Sequence, residues 1–314
     1  MTAAIDRAGA ETDARHEAYR AAERRLWDRY GLEPTERFVK LGEPAVRLRV
    51  VEVGTGRPVL FVPGTGGTGP YWAPLLRELA GVRALMIDRP GWGLSSPIRW
   101  ADHDFKRVAA DTLAGVLDAL EIDAAPVAGH SIGSVWPLSL ATRSPSRVSR
   151  IALLGGGPLS KAIKPGRFLK LLRSPIGSII VRIPEREGML RGQLRGVGHG
   201  ASLEAGRIPA EYLDWHMALT NRTDSMRNER EMVRAVLTDA GPTTAFDDAE
   251  LAAVTQPLLM LFGANDPFGS PDIWRDFVGH MPNAELRILP DTGHVTWLDD
   301  PARAAGELRD FLLA

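Results

Sequence analysis

The sequence contains no cysteine among its 314 residues and no apolar run long enough to cross a lipid bilayer. The first absence excludes disulfide bonds, a cysteine nucleophile and thiolate metal ligands. A transmembrane helix needs about 20 consecutive apolar residues, and no segment approaches that length. The first 25 residues are polar and lack the apolar core of a secretory signal peptide. We therefore expect a cytoplasmic protein without stable membrane insertion.

A strong net charge is also absent. The 38 basic and 39 acidic residues give a net charge of -1, so the composition gives no reason to expect nucleic acid or an anionic membrane as a partner. Only five of the basic residues are lysines, which we interpret as coding bias. The hydrophobic content of 44% and the charged content of 25% are ordinary for a globular protein. The length suits one large domain, or one domain with a sizeable insertion.

Eight segments have the pattern of β-strands. Residues 37–41 and 46–53 alternate between apolar and polar side chains, as expected for an antiparallel pair at the edge of a sheet. The other six are more continuously apolar, which is typical of parallel strands covered on both faces: 58–64, 83–91, 125–130, 147–157, 256–268 and 284–294. Helical patterns separate them. This alternation predicts an α/β fold with a mostly parallel, eight-stranded sheet and helices on both faces.

The alternation stops after the sixth predicted strand, in a long segment rich in Arg, Leu and Met that predicts several helices. An insertion at this point overhangs the carboxyl edge of a parallel sheet, where ligands bind. We therefore interpret it as a helical lid, whose apolar side chains, such as Leu171 and Leu172, favour an apolar substrate. A helical subdomain without a role in binding is the alternative. The predicted division is an N-terminal tail and helix (1–35), a core (36–157 and 246–314) and the lid (158–245).

The stretch VAGHSIGSVW (127–136) places a serine between two glycines where a predicted strand turns into a helix. Gly129 and Gly133 permit the turn, because a Cβ at either position would press against neighbouring backbone. Ser131 lies at the apex, with the free N–H groups of the following helix behind it, and this is a favourable place for a nucleophile. The stretch matches the G-x-S-x-G nucleophile elbow, and through it the chain resembles the α/β-hydrolase superfamily.

The resemblance implies a catalytic triad, because a serine hydroxyl needs a base to accept its proton and an acid to orient that base. His294, in LPDTGHVTW, directly follows the last predicted strand, and Asp266, in GANDPF, ends the strand before it. The chain order Ser131, Asp266, His294 is the order of this superfamily. Asp291 is the rival acid, three residues before the histidine, and Asp88, in IDRPGWGLS, is interpreted as structural.

Three other histidines lie in the elbow or in the predicted lid. His130 precedes the serine, so its side chain is expected to point away from the nucleophile and to pack or form hydrogen bonds within the elbow. His199 and His216 fall in the predicted lid. Either could touch the substrate, although a single histidine in a helical segment is more often structural.

Acyl transfer also requires hydrogen-bond donors for the developing oxyanion. Ile132 offers its N–H directly after the nucleophile, and Thr65, in the loop VPGTGGTG, offers the second by position, with Gly66 next in line. The family usually has His-Gly where this chain has Pro63-Gly64, which is a departure. The glycine-rich loop lacks the lysine of a P-loop and does not have the G-x-G-x-x-G pattern at the start of a helix. No nucleotide, cofactor or metal is expected.

A serine nucleophile argues against the haloalkane dehalogenases and epoxide hydrolases of similar architecture, which attack through a carboxylate. The resemblance implies a hydrolase that forms an acyl-serine on a small, apolar carbonyl substrate, most simply a carboxylic ester or a lactone. The alternative is a carbon–carbon bond hydrolase of aromatic ring-cleavage products. Such enzymes tend to have Gly-Asn-Ser-x-Gly-Gly at the elbow, where this chain has His130 and Ser134.

A carbon–carbon hydrolase would also need a cation for its substrate's carboxylate, and the predicted lid offers five arginines: Arg167, Arg173, Arg182, Arg191 and Arg195. Perhydrolysis of the haloperoxidase type is a third possibility, as a side reaction of the same triad. From a different class, the chain could be a non-catalytic small-molecule receptor that keeps the fold. An intact triad with both oxyanion donors argues against a receptor.

Overall fold

The structure, a computed structural model, describes residues 4–6, 14–163, 166–239 and 241–314. The strands are β1 Ala4–Asp6, β2 Thr35–Gly42, β3 Ala45–Val53, β4 Arg57–Val62, β5 Val82–Ile87, β6 Ala125–His130, β7 Val148–Leu154, β8 Leu237–Thr238, β9 Gly241–Pro242, β10 Leu258–Gly263 and β11 Ala284–Leu289. The helices are α1 Ala14–Tyr30, α2 Ala73–Glu78, α3 Phe105–Ala119, α4 Val135–Arg143, α5 Arg167–Arg173, α6 Gly177–Ile180, α7 Glu187–Gly196, α8 Gly200–Glu204, α9 Ala210–Arg222, α10 Ser225–Val236, α11 Asp248–Ala252, α12 Pro271–Gly279, α13 Thr296–Asp299 and α14 Pro301–Leu313.

Within the described residues, nine strands form one sheet in the order β1-β2-β3-β5-β4-β6-β7-β10-β11. The pairs β1–β2, β2–β3 and β3–β5 are antiparallel, and every pair from β5 to β11 is parallel. All eight predicted strands are present, and the prediction of a mostly parallel α/β sheet is confirmed. The ninth strand, β1, lies in the segment that the sequence predicted as a polar tail. It adds an antiparallel edge.

The sheet is covered by hydrophobic cores on both faces, which explains the continuous apolar runs of its parallel strands. Along β4, Val59 and Phe61 join one core while Leu60 and Val62 join the other. One core packs beneath α3, α4 and α12, and the second packs beneath α1, α2 and α14. The two cores hold the sheet between them, so the carboxyl ends of its strands and the loops that follow have fixed positions.

Helix α1 is rich in charge but is embedded in the molecule. Glu23 and Arg49 are buried, and the Arg49 guanidinium donates to both oxygens of Glu23, at 2.8 and 2.9 Å. The Nε–H of Arg49 donates to Glu36 at 2.7 Å, and Asp88 lies 3.5 Å from Nη1. Burial raises the pKa of Asp88 to about 6, against the opposing effect of Arg49. A helix to which the sequence assigned no role is thus joined to the core by a buried charge cluster.

Helices α5 to α10 lie between β7 and β10, in the segment that the sequence interpreted as a lid. The apolar side chains predicted there divide into two groups. Leu172 is fully buried with the core beneath α10, whereas Leu171, Ile179 and Met189 are 43%, 62% and 47% exposed. Part of this apolar surface therefore faces outward. Among the helices that the structure describes, none has the length and hydropathy needed to cross a membrane.

Candidate active site

The strand-to-helix junction at the end of β6 has the backbone of a sharp elbow. Ser131 follows β6 directly, begins a short 3-10 turn and has φ +55°, a left-handed conformation that is rare for residues other than glycine. A Cβ on Gly129 would lie 2.5 Å from the carbonyl oxygen of Gly133, and one on Gly133 would lie 2.4 Å from that of Val62. Both positions therefore require glycine. The turn leaves Ser131 half-buried between two buried neighbours.

His294 and Asp266 meet at the carboxyl edge of the sheet. The Nδ1 atom of His294 lies 2.8 Å from Oδ2 of Asp266, whose carboxylate also accepts the N–H groups of Gly156 and Phe268 at 2.8 Å each. Burial alone would raise the pKa of Asp266, but the nearby His294 and the three hydrogen bonds together lower it below its ordinary value. An ionised Asp266 accepts the Nδ1 proton and fixes the tautomer that leaves Nε2 unprotonated. Asp291, the rival acid, is exposed in a turn with φ +60°.

His130 links the elbow to the loop that carries His294. Its Nε2–H donates to the carbonyl oxygen of His294 at 3.1 Å, so its Nδ1 accepts from the hydroxyl of Tyr71, also at 3.1 Å. The rings of His130 and His294 are 4.5 Å apart. Burial, reinforced by His294, holds the pKa of His130 well below its ordinary value. A neutral His130 thus joins the elbow to the loop that carries His294.

The loop after β4 lies against the serine. Its residues 64–67 form a turn in which the N–H of Gly67 donates to the carbonyl oxygen of Gly64 at 3.2 Å and Gly66 has φ +79°. A Cβ on Gly64 would lie 2.9 Å from the Cβ of Ser131. The two predicted oxyanion donors adjoin this contact, because Thr65 follows Gly64 and Ile132 follows Ser131.

A buried charged cluster lies behind this turn and was not predicted. The Thr65 hydroxyl donates to Oε1 of Glu229 on α10 at 2.5 Å, and the Trp92 indole N–H donates to Oε2 at 2.7 Å. The guanidinium of Arg89 lies 3.5 Å from Oε2 and donates to the carbonyl oxygen of Gly64 at 3.1 Å. Burial lowers the pKa of Arg89, and Glu229 opposes that shift. Both charged side chains are fully buried.

A second histidine–aspartate pair holds the His294 loop from the other side. His199, which follows α7, has its Nδ1 atom 2.7 Å from Oδ2 of Asp299, and its Nε2 accepts the N–H of Val295 at 3.1 Å. The N–H of Gly293 donates to the same Asp299 oxygen at 2.7 Å. Burial would raise the pKa of Asp299, but the hydrogen bond and charge of His199, with the Gly293 bond, lower it. Both residues flanking His294 are thereby fixed.

A third histidine lies over the glycine-rich turn. The Nδ1 atom of His216, on α9, is 2.9 Å from Oε2 of Glu185, and that carboxylate also accepts from Thr220 at 3.0 Å and Gln193 at 3.1 Å. A Cβ on Gly66 would lie 2.8 Å from Nε2 of His216. The imidazole therefore presents Nε2 to the turn. Burial would raise the pKa of Glu185, but its bonds with His216, Thr220 and Gln193 lower it.

The arginines proposed from the sequence as carboxylate ligands have other surroundings. Arg173 pairs with Asp239 at 2.6 Å, and Arg191 pairs with Glu187 at 2.7 Å, in both cases with substantial exposure of the partners. Arg182 and Arg195 are exposed, and the side chain of Arg167 lies outside the described part of the chain. Among the polar side chains that the sequence singled out in the lid and that the structure describes, His216 contacts the turn beside the serine.

Comparison with known proteins gives a family match over most of the chain. The model of the alpha/beta hydrolase family matches residues 59–307. The chain is 30% identical over 271 residues to the 2-hydroxy-6-oxononadienedioate/2-hydroxy-6-oxononatrienedioate hydrolase of Cupriavidus pinatubonensis, covering 83% of this chain and 89% of that protein. It is 27% identical over 273 residues to the 2-hydroxy-6-oxo-6-phenylhexa-2,4-dienoate hydrolase of Burkholderia cepacia, covering 83% and 90%.

Solved structures show the same fold. The naproxen esterase of Bacillus subtilis superposes with a TM-score of 0.71 at 16% identity, over 96% of this chain and 99% of that one. A meta-cleavage product hydrolase from Pseudomonas fluorescens superposes with a TM-score of 0.68 at 18% identity, over 85% and 94%. At these identities the likeness shows the fold alone, and it is shared by an esterase and a meta-cleavage product hydrolase.

Proposed function

The chain belongs to the alpha/beta hydrolase family, and on that premise we propose that it hydrolyses a carbon–carbon bond in a 2-hydroxy-6-oxo-2,4-dienoate. The observation that carries the proposal is the similarity, over more than four fifths of the chain, to hydrolases named for such compounds. Their names differ in the group attached at C6 and share the 2-hydroxy-6-oxodienoate portion. This is the function that the elbow sequence placed second, and the relatives favour it over ester or lactone hydrolysis.

The shared portion has no ester, so its hydrolysis must break a bond next to the C6 ketone. Loss of the C2 hydroxyl proton and protonation of C5 convert the dienol into a 2,6-diketone. A nucleophile can then add to C6. When the C5–C6 bond breaks, its electron pair is delocalised through C4 and C3 onto the C2 oxygen, and C6 becomes an acyl group. Water releases that group as a carboxylic acid, and the other product is a 2-hydroxydienoate.

The proposed roles follow the geometry of the site. Ser131 adds to C6, His294 accepts the serine proton, and Asp266 holds the Nδ1 proton of the imidazole. The N–H groups of Thr65 and Ile132 bind the oxyanion at C6. The positive φ of Ser131, the Asp266–His294 distance of 2.8 Å and the contact between Gly64 and Ser131 support this assignment.

The carboxylate at C1 needs a polar partner, and we assign it to His216. Its Nδ1–H is directed to Glu185, so a protonated imidazole offers its Nε2–H towards the turn that contains Gly66. A charge-assisted hydrogen bond of this kind recognises a carboxylate without a fully buried arginine. Arg173 and Arg191, by contrast, are already paired with acidic side chains.

The test compares two substrates with one enzyme preparation. A 2-hydroxy-6-oxo-2,4-dienoate and a p-nitrophenyl ester of similar size are assayed in parallel, each with the wild type and with Ser131→Ala. The proposal predicts a kcat/KM much larger for the dienoate than for the ester, with both activities lost in the variant. Turnover of the ester without cleavage of the dienoate would restore the esterase interpretation and contradict the proposal.

A further inference from the structure

The peptide unit between Gly64 and Thr65 is held from behind by a charged side chain. This unit is trans and planar, so the carbonyl oxygen of Gly64 and the N–H of Thr65 point in opposite directions. The carbonyl oxygen accepts a hydrogen bond from Arg89 at 3.1 Å. The Thr65 N–H must therefore point away from Arg89. The guanidinium, together with the N–H of Gly67 that binds the same carbonyl oxygen, sets the direction of the predicted oxyanion donor.

Arg89 is itself held by the helical insertion. Its guanidinium lies 3.5 Å from Glu229, and both side chains are fully buried, which is costly for charged groups unless they are paired and hydrogen-bonded. Both oxygens of Glu229 are engaged, one by the Thr65 hydroxyl and the other by Trp92 and Arg89. Glu229 thus contacts the Gly64–Thr65 turn twice, directly through Thr65 and indirectly through Arg89.

We propose that Glu229 and Arg89 are positioning residues for the oxyanion hole, and that docking of α10 completes the hole. Glu229 accepts the hydroxyl of Thr65, and Arg89 binds the carbonyl oxygen of the peptide unit before it. Because Arg89 is also paired with Glu229, both of these contacts, which orient the Thr65 N–H, depend on this one carboxylate. The proposal rests on the proposed function in one respect, since it takes Thr65 N–H as an oxyanion donor. It does not depend on which carbonyl substrate is cleaved.

The main test is Glu229→Gln, which keeps the size of the side chain and removes its charge. A misaimed donor weakens binding of the transition state more than binding of the substrate. We therefore expect kcat to fall about 10- to 100-fold with KM changed less than about threefold. The rate at which an activated phosphonate labels Ser131 should fall by a similar factor. Labelling requires the same oxyanion contacts but no turnover. Its rate therefore measures the oxyanion hole without the natural substrate.

Thr65→Val tests the contact from the other side. This variant removes the hydroxyl that donates to Glu229 while leaving the backbone N–H in place. If Glu229 acts partly through Thr65, the two losses should not multiply in the double variant, because residues that share a contact are coupled. Thr65→Ser restores the hydroxyl and should recover most of the rate lost in Thr65→Val. A purely structural role for Thr65 at the surface predicts no such rescue.

The matched control is Glu250→Gln, which removes the charge of another glutamate that joins two elements. Glu250 on α11 pairs with Lys106 on α3 at 2.8 Å and belongs to neither the turn nor the serine elbow. Its kcat and labelling rate should stay within about twofold of the wild type, as for most surface substitutions. Equal losses in Glu250→Gln and Glu229→Gln would overturn the proposal.

Two further outcomes would also overturn it: a rise in KM at unchanged kcat for Glu229→Gln, and fully multiplicative losses with Thr65→Val. If Glu229→Gln does not fold, as judged by circular dichroism, the comparison of Thr65→Val with Thr65→Ser decides. If the wild type cleaves only esters, the carbon–carbon proposal fails. The positioning proposal is then tested unchanged on the ester.

Discussion

Two histidine–aspartate pairs lie close together at the carboxyl edge of the sheet, and they differ in what surrounds Nε2 of the imidazole. In both, a carboxylate lies within hydrogen-bonding distance of Nδ1, at 2.8 Å for Asp266 and His294 and 2.7 Å for Asp299 and His199. The Nε2 atom of His199 accepts a hydrogen bond from the backbone N–H of Val295. The ring of His294 instead packs against His130, beside the serine elbow. A carboxylate orients both imidazoles, and the surroundings of Nε2 decide which one can exchange a proton with a substrate.

The second pair also serves the first. Asp299 accepts the N–H of Gly293 and His199 accepts the N–H of Val295, so the residues before and after His294 are both bound. The N–H of His294 itself donates to Val197 at 2.9 Å, in the same connection that carries His199. The helical insertion therefore fixes the loop of His294 as well as the turn that contains Gly64 and Thr65.

Removing the imidazole of the Asp266–His294 pair should have the largest effect on kcat. We expect His294→Ala and Ser131→Ala each to lower kcat by a factor on the order of 10⁶, with the double variant hardly worse, because groups that act as one unit give non-additive losses. The measurement is steady-state kcat on whichever substrate turns over. Losses that multiply in the double variant would separate the two residues and contradict the triad.

Neutralising the carboxylate of the first pair comes next. Asp266→Asn should lower kcat about 10⁴-fold, because an amide stabilises the wrong imidazole tautomer and cannot stabilise the imidazolium. Asp291→Asn is the matched control, since Asp291 is exposed in the turn before the histidine. It should leave kcat nearly unchanged. A reversal of the two effects would make Asp291 the catalytic acid.

Substitution of the histidine in the Asp299–His199 pair should lower kcat much less. His199→Gln removes the acceptor for the N–H of Val295 and the partner of Asp299. The loop that carries His294 is then less well positioned, while His294 itself is unchanged. We expect kcat to fall about 10- to 100-fold, as for a displacement of about 1 Å in a reacting group. If His199→Gln matched His294→Ala in severity, the second pair would have a direct role in proton transfer, and the comparison would fail.

His216 also has a carboxylate partner at Nδ1, Glu185, and its Nε2 faces the turn beside the serine. Its substitution shows whether this arrangement serves proton transfer or substrate binding. His216→Gln should raise KM for the dienoate about tenfold, the loss of roughly 1.4 kcal/mol of binding. It should leave kcat and the kinetics of a neutral ester little changed. His280→Gln, at the half-buried position directly after α12, is the control. A fall in kcat on both substrates would place His216 in the proton-transfer chemistry.

The smallest effect concerns acid stability. The pKa of Asp299 is lowered in the folded protein, so its carboxylate stabilises the fold above the ordinary aspartate range near pH 4, and this contribution is lost as the pH falls through the folded pKa. The difference in free energy of unfolding between the wild type and Asp299→Asn should therefore shrink as the pH falls from 6 towards 3. Urea unfolding at each pH measures it. A difference that grows on acidification would reverse the sign of the linkage.

The strands and the contact between Asp266 and His294 could be predicted because their signals are local. Ser131, Asp266 and His294 each follow a strand within a few residues, and the apolar pattern of those strands is visible in any short window. Strand β1 was missed because three residues carry no pattern. The contacts of Glu229 with Thr65 join residues 164 positions apart. A single glutamate in a polar helix has no periodic signal that distinguishes it from a solvated one.

The reaction type was harder to predict than the fold, and His130 shows why. The sequence treated a histidine before Ser131 as evidence against a carbon–carbon hydrolase. In the structure that imidazole is occupied with Tyr71 and the carbonyl oxygen of His294. Its identity thus reflects how the His294 loop is held, and it says little about the bond that is cleaved.

The docking of α1 sets the shortest piece of this chain that can be expected to fold. The family match begins at residue 59, and a gene trimmed to that limit, or even to β2, would still contain the elbow and every residue of the triad. It would lack Glu23, which accepts two hydrogen bonds from buried Arg49, and the Tyr19 hydroxyl that bonds Thr68 at 2.8 Å. We expect a truncated product of this kind to keep its motifs and to expose the hydrophobic core that α1 covers. Fusion partners and cleavage sites therefore belong before α1.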